Sequence, residues 1–282
     1  MLPIPFNFSY VSSDPAIPIE PISLLATASL WYDFSLATAS VDTANRNTIS
    51  GTGPYYSRLY DNGKSLKHLL RCYQFSSPQI CQKPFYVFDT DKSKYVCNGI
   101  DSYYLATFSS IPFLSLTQSQ VTSFHVLKTP ESTQIRMSGV SVFNYFNMQI
   151  KRNPDLPFSG GIAINLSFTD GGYMSSTIFS SDGDNFTHDT KSVVVGTSSW
   201  LLVVSTFSNY LTQSSSSYMK VNGVVSTSGS GNLSGFTDNI SYGDFFTQSI
   251  SAAESIVFDT ILTPSQIDSV ETWIKYKWNI SY

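Results

Sequence analysis

The chain has 282 residues, 41% of them hydrophobic, enough to bury a substantial core as one large β domain or as two smaller ones. Charged residues make up only 13% and the net charge is −4, so no basic surface tracks a phosphate backbone and nucleic acid is excluded as a partner. Aromatic content is 15%, with 17 Tyr and 20 Phe, which suits sheets. No stretch approaches a membrane span. The N-terminus lacks the basic-then-apolar form of a secretory signal, so a chain made without a leader is expected.

Residues 1 to about 25 stand apart. Pro3, Pro5, Pro15, Pro18 and Pro21 remove backbone donors and restrict φ, which predicts an extended arm rather than a packed element. Between them stand Leu2, Ile4, Phe6, Phe8, Tyr10, Ile17 and Ile19, apolar groups suited to lying along neighbouring subunits, or in a groove of the same domain.

From residue 26 the pattern becomes short strands. They are expected at Ser29–Phe34, Phe85–Phe88, Tyr103–Thr107, Thr122–Lys128, Val140–Phe146, Gly161–Phe168, Tyr173–Phe179, Trp200–Phe207, Ser217–Val221 and Ala253–Phe258. Turns such as "DNGK", "SDGD" and "VNGV" separate them, and no internal repeat is present. Cys72, Cys81 and Cys97 read as small core thiols, with a Cys72–Cys81 bridge as the alternative; no zinc-ligand spacing accompanies His68, His125 and His188. The segment "SSDGDNFTHD" gathers Asp182, Asp184, Asn185 and Asp189 in one expected loop. Those oxygens could serve a weak calcium site, though the stretch is not an EF-hand and a solvated turn is the favoured reading.

The chain closes differently. Thr263 as N-cap, Pro264 at the first helical position and Gln266 three residues after the cap predict a capped helix. Ile267, Val270, Ile274 and Trp278 form its apolar stripe, while Asp268 and Glu271 lie toward its positive end and Lys275 and Lys277 toward its negative end. Many strands plus one helix imply an all-β sandwich on which that helix packs.

The order of landmarks resembles that of concanavalin A-like, laminin-G-type jelly-roll domains, which occur in phage and viral structural proteins and in bacterial surface proteins. Trp31-Tyr32-Asp33 is similar to the Trp-x-Asp of their first strand. "DNGKSLKHLL" resembles a following Asp-x-Ser-Gly-x-x-x-His-Leu stretch through Asp61, Gly63, Ser65, His68 and Leu69, with Gly63 and Ser65 in shifted order. "NGIDSYYLATF", "SSWLLVVSTF", "YMKVNGVV" and the closing "ESIVFDTILTPSQIDSVETWIKYKWNI" follow in the family's order, and the segment around Cys72 to Lys83 departs from it. The resemblance covers about residues 28 to 282. It implies a two-sheet antiparallel jelly roll over 26–282, with Trp31, Tyr104 and Trp200 in its core and Glu254 in a structural role.

Catalysis finds little support. Glycosidases on this fold carry a Glu-x-Asp-x-x-Glu strand, whereas the four Glu here, at 20, 131, 254 and 271, have no carboxylate two positions away. No Gly-x-Ser-x-Gly elbow occurs either. Tyr55, Tyr56 and Tyr173, in loop-like stretches, are the candidates for stacking on sugar rings. The expected function is a non-enzymatic virion structural protein (minor capsid, decoration or appendage subunit) that joins other subunits through the arm. The alternative is a glycan-binding adhesin or receptor-binding lectin domain, and a glycoside hydrolase ranks third. Sequons at Asn7, Asn165, Asn185, Asn232, Asn239 and Asn279 carry little weight in so Ser- and Thr-rich a chain.

Overall fold

The computed structural model describes residues 21–36, 38–40, 55–59, 62–63, 69–71, 85–98, 103–108, 114–115, 120–129, 135–137, 140–142, 144–151, 161–168, 174–179, 185–189, 199–208, 218–226, 229–232, 239–240, 242–248 and 251–282. The strands pair antiparallel throughout and build a sandwich, as expected. One sheet runs, edge to edge, through Val224–Ser226, Tyr218–Val221, Trp200–Ser208, Gln120–Lys128, Ser251–Phe258 and Leu30–Asp33. The other runs through Leu69–Arg71, Tyr103–Phe108, Tyr242–Gln248, Asn144–Lys151, Gly161–Phe168, Met174–Phe179, Asn185–Asp189 and Gly229–Asn232. The hairpin Phe85–Asp89/Lys94–Asn98 joins the first sheet at Ser251 and Ala252.

Side chains alternate across a strand, so each strand of the first sheet offers two faces. Phe124, Val126, Leu202, Val204, Ile256 and Phe258 lie under the closing helix Pro264–Trp278, in one core cluster with Ile267, Val270, Ile274 and Trp278. The opposite face, with Val121, Leu127, Leu201, Val203, Met219 and Val257, is equally buried and forms the interior of the sandwich. A strand covered on both sides needs a continuous apolar run, and "WLLVVS" is one.

The helix starts as its sequence predicts. Gln266 N–H donates to Thr263 Oγ1 at 3.3 Å, and Thr263 N–H donates back to Gln266 Oε1 at 2.9 Å. Asn279, left-handed at φ 46°, ends it. Burial of Ile267, Val270 and Ile274 contributes roughly 5–9 kcal/mol as an upper bound. The dipole is not what positions the charged residues. Glu271 lies beyond the first turn and is buried against Lys220 at 2.6 Å, and Lys277 pairs with two acids of the sheet.

The arm expected through residue 25 ends sooner. Ile22–Leu25 is a helical turn whose Leu24 and Leu25 N–H groups bond Pro21 O, and Leu25 is wholly buried in the core under the closing helix. The residues before Pro21 lie outside the described set. The single strand expected at Val140–Phe146 is two: Val140–Val142 pairs with Ile135–Met137, and Asn144–Lys151 belongs to the second sheet. Cys97 is a buried thiol as anticipated, while Cys72 and Cys81 lie outside the described residues.

Candidate functional site

Two clusters of chemistry-bearing side chains occur among the described residues. The first lies beneath the helix. Asp33 and Glu254 face each other on paired strands, and Lys277 reaches down from the helix to Asp33 Oδ2 at 2.6 Å and Glu254 Oε1 at 2.7 Å. Ser35 donates its N–H and hydroxyl to Asp33 Oδ1, Trp31 Nε1 donates to Glu254 Oε1 at 2.8 Å, and Trp278 Nε1 donates to Glu254 Oε2. Every carboxylate oxygen is thus engaged. Lys94 completes the group, donating to Lys277 O at 2.6 Å and standing 4.8 Å over the Trp278 ring. Two anions and two cations leave it electrically balanced.

Burial pushes the Glu254 carboxyl above its ordinary range, Lys277 pulls it back, and Asp33 pushes it up again. Burial opposes the Lys277 ammonium, but Glu254 and Asp33 outweigh that and raise its pKa. Burial, then repulsion from Lys277, lowers that of Lys94. Asp33 is 2% exposed and Glu254 1%, so no substrate reaches the pair, and an ammonium occupies the space between them. This centre holds helix to sheet, the structural role the resemblance implied for Glu254.

The second cluster lies at one end of the first sheet. There the turn Thr90–Ser93, the end of strand Gln120–Lys128, the start of strand Trp200–Ser208, the turn Asn222-Gly223 and the tail Asn279–Tyr282 converge. Lys92 Nζ donates to Asn279 O at 2.9 Å and stands 5.9 Å from the Trp200 ring centroid; Lys128 Nζ stands 5.7 Å from the same centroid. Lys128 pairs with Asp89 at 3.0 Å and Asp91 at 3.8 Å. Asn222 and Gly223, both at positive φ, make the hairpin turn, and Asn222 locks it to Leu202 by two hydrogen bonds. A Cβ at Gly223 would come within 2.7 Å of the Tyr282 ring, so only glycine admits that ring, over which Lys275 Nζ stands at 3.9 Å. Burial, helped by Glu271, pushes the Tyr282 phenol up.

Trp200 and Trp31, expected in the core, are each partly exposed and pack only one side against it. The resemblance implied a core position for Trp200, whereas its place at the strand start brings the ring to the rim. Tyr55 and Tyr56 are not in a loop. They open the strand Tyr55–Leu59, paired with Ser40 and Ala39, and Tyr55 also pairs with Phe85. Tyr173 lies outside the described residues. Asn185 and Asp189 are the two ends of a strand rather than parts of one loop, and Asp182 and Asp184 lie outside the described residues. No group of three or more His, Cys, Asp or Glu suited to a metal ion occurs among the described residues.

No protein-family model matches the sequence, and no curated protein matches it. Solved structures do share the fold. The binding domain of Paraclostridial Mosquitocidal Protein 1 superposes with a TM-score of 0.54 at 10% identity, covering 90% of this chain and 52% of that one. The botulinum neurotoxin serotype G binding domain gives 0.52 at 12% identity, covering 88% and 51%. A Trypanosoma rangeli sialidase reaches only 0.47 at 8% identity, covering 92% and 33%. The chain therefore spans about half the length of the two binding domains, and the likeness is one of fold.

Proposed function

We propose that this chain is a non-enzymatic binding module that presents the loop end of its first sheet to carbohydrate. The observation that carries the reading is that end surface, where Trp200 and Tyr282 stand among Lys92, Lys128 and Lys275. Flat rings with apolar bodies suit the C–H faces of a sugar, and adjacent charged groups suit its hydroxyls. The fold shared with two toxin binding domains supports a binding role, and the sealed Asp33–Lys277–Glu254 centre gives no support to hydrolysis. A glycan array with the purified chain tests this, alongside a hydrolysis assay on the same glycans. Retention without turnover is expected; turnover lost on changing a single Glu would reverse the reading. Retention abolished by Tyr55→Ala, Tyr56→Ala or Tyr173→Ala would move the contact to those residues, and loss on chelating calcium would implicate Asp182, Asp184, Asn185 and Asp189.

A place in a virus particle is compatible with such a module and draws its support from the Pro-rich arm alone. Deleting residues 2–20 spares the docked turn at Ile22–Leu25. On this proposal the truncated chain melts as the parent does but no longer enters particles.

A further inference from the structure

We propose that the loop end contains a subsite for a neutral pyranose, with Trp200 as the stacking ring and Asp91 and Lys92 as its hydrogen-bonding partners. This rests on the reading of the chain as a carbohydrate-binding module and names the ligand class and the residues.

Trp200 opens its strand opposite Lys128, at the rim of the sheet. The indole is partly exposed, yet its Nε1 is enclosed and has no hydrogen-bond partner among the described residues. Buried indole N–H groups ordinarily find an acceptor, and one left without it is costly. A ligand would reach that N–H only if the indole turned outward, so the contact offered to a sugar is the exposed part of the ring itself.

The surrounding groups fit the same ligand. The Asp91 side chain is 71% exposed, and its nearest cation, Lys128 at 3.8 Å, is beyond hydrogen-bond distance. Its oxygens therefore face water, able to accept from two adjacent hydroxyls. Lys92 gives one N–H to Asn279 O and has two more to offer. Asp89 is different: it is committed to Lys128 and to the Lys92 backbone N–H, and it positions rather than binds.

Charge decides the class of sugar. Lys92 and Lys128 beside the ring are matched by Asp89 and Asp91, and Lys275 stands over Tyr282 instead, so no surplus cation beside Trp200 awaits a carboxylate or sulfate. An acidic sugar would meet the exposed Asp91 carboxylate and be repelled, whereas a neutral pyranose meets acceptors, donors and a flat apolar face together.

The test uses the full chain with methyl glycosides of glucose, galactose and mannose as neutral probes, and N-acetylneuraminic and glucuronic acids as acidic ones. Indole N–H resonances of the four Trp report contact directly, and calorimetry gives affinity. A neutral glycoside should shift the Trp200 resonance, identified by its loss in Trp200→Leu. That variant, which keeps an apolar side chain, should bind about tenfold more weakly, the worth of one good ring contact. Asp91→Asn, at an exposed position, should weaken binding several-fold with an unchanged melting temperature. If Asp91→Asn and a folded Trp200→Leu both bind as the parent does, the subsite is wrong while the module stands. Binding of the acidic probes alone overturns the neutral class. If the parent binds no glycan on the array, the functional reading fails and takes this subsite with it.

Discussion

His125 should make this protein acid-labile in a way that one substitution reveals. The ring lies at the centre of the first sheet, 0% exposed, on the strand between Trp200–Ser208 and Ser251–Phe258, with Nδ1 2.8 Å from Ser255 Oγ. Burial lowers its pKa to about 3. The ring is therefore neutral in the fold at pH 5 but protonated in the unfolded chain, where an ordinary histidine titrates near ~6.5. Protons then favour the unfolded state. The contribution is complete above the unfolded pKa and is lost as pH falls toward the folded one. From the unfolded pKa down to pH 5 the interval is about 1.5 pH units, which at 1.36 kcal/mol per unit costs ~2 kcal/mol; by pH 3 the loss reaches ~5 kcal/mol. The Glu254 carboxyl, raised by burial, acts in the opposite sense, stabilising the fold as pH falls, so the parent's curve alone does not isolate His125. A difference does. Urea unfolding at pH 7.5 and pH 5 would compare the parent with His125→Asn, which keeps a polar group near Nδ1. The variant should be weaker by ~1–2 kcal/mol at pH 7.5 yet lose ~2 kcal/mol less than the parent on acidification, so that the two converge near pH 5. Equal losses in the two proteins would show that His125 does not stay neutral in the fold.

Other outcomes follow from the same contacts. Lys277→Met strands two buried carboxylates and should cost ~3–5 kcal/mol by chemical denaturation, with partial recovery when Glu254→Gln is added. Ile274→Asp places an unpaired charge between helix and sheet and should lower stability by several kcal/mol, roughly the largest single-residue range; a parent-like melt would mean the helix is not docked there. Thr263→Ala removes the capping hydroxyl and should cost ~1 kcal/mol in the same assay. Gly223→Ala should cost more than ~1 kcal/mol, since a methyl group there is strained at φ +80° and strikes Tyr282; a paired Tyr282→Ala should recover only the steric part.

What the sequence discloses depends on how local the cause is. The closing helix is legible because its cap, first-turn proline and stripe sit within sixteen residues of one another, from Thr263 to Trp278. Strands buried on both faces are legible for the same reason: "VTSFHVLK" and "WLLVVS" need no partner to be recognised. Tyr242–Gln248 is missed because Gly243 and Asp244 interrupt any alternation and only its two neighbours make it a strand. Tyr55 and Tyr56 follow Gly53-Pro54 and so read as a turn, although the ladder takes them up at once. The site is less legible still. Lys277 suits a helix C-terminus on local grounds, and nothing nearby announces that Asp33 and Glu254, far apart in the chain, wait beneath it. Trp200 shows the opposite error: the resemblance implied a core position, whereas the first residue of a buried strand stands at its rim and reaches solvent.

The pairing of Leu30–Asp33 with Ser251–Phe258 bears on how the molecule is made. Trp31 stands opposite Ile256, so a strand made early in this segment must wait for a ladder partner far downstream. The central strand Gln120–Lys128 likewise waits for both of its neighbours, Trp200–Ser208 and Ser251–Phe258. The first sheet thus cannot be completed until residue 258 has been made, and its apolar strands remain unshielded until then. Folding is dominated by contacts between distant parts of the chain, a regime of slow, aggregation-exposed assembly. A nascent chain halted before residue 251 should therefore be a client of chaperones rather than a partial domain, and expression at low temperature should raise the yield of soluble protein.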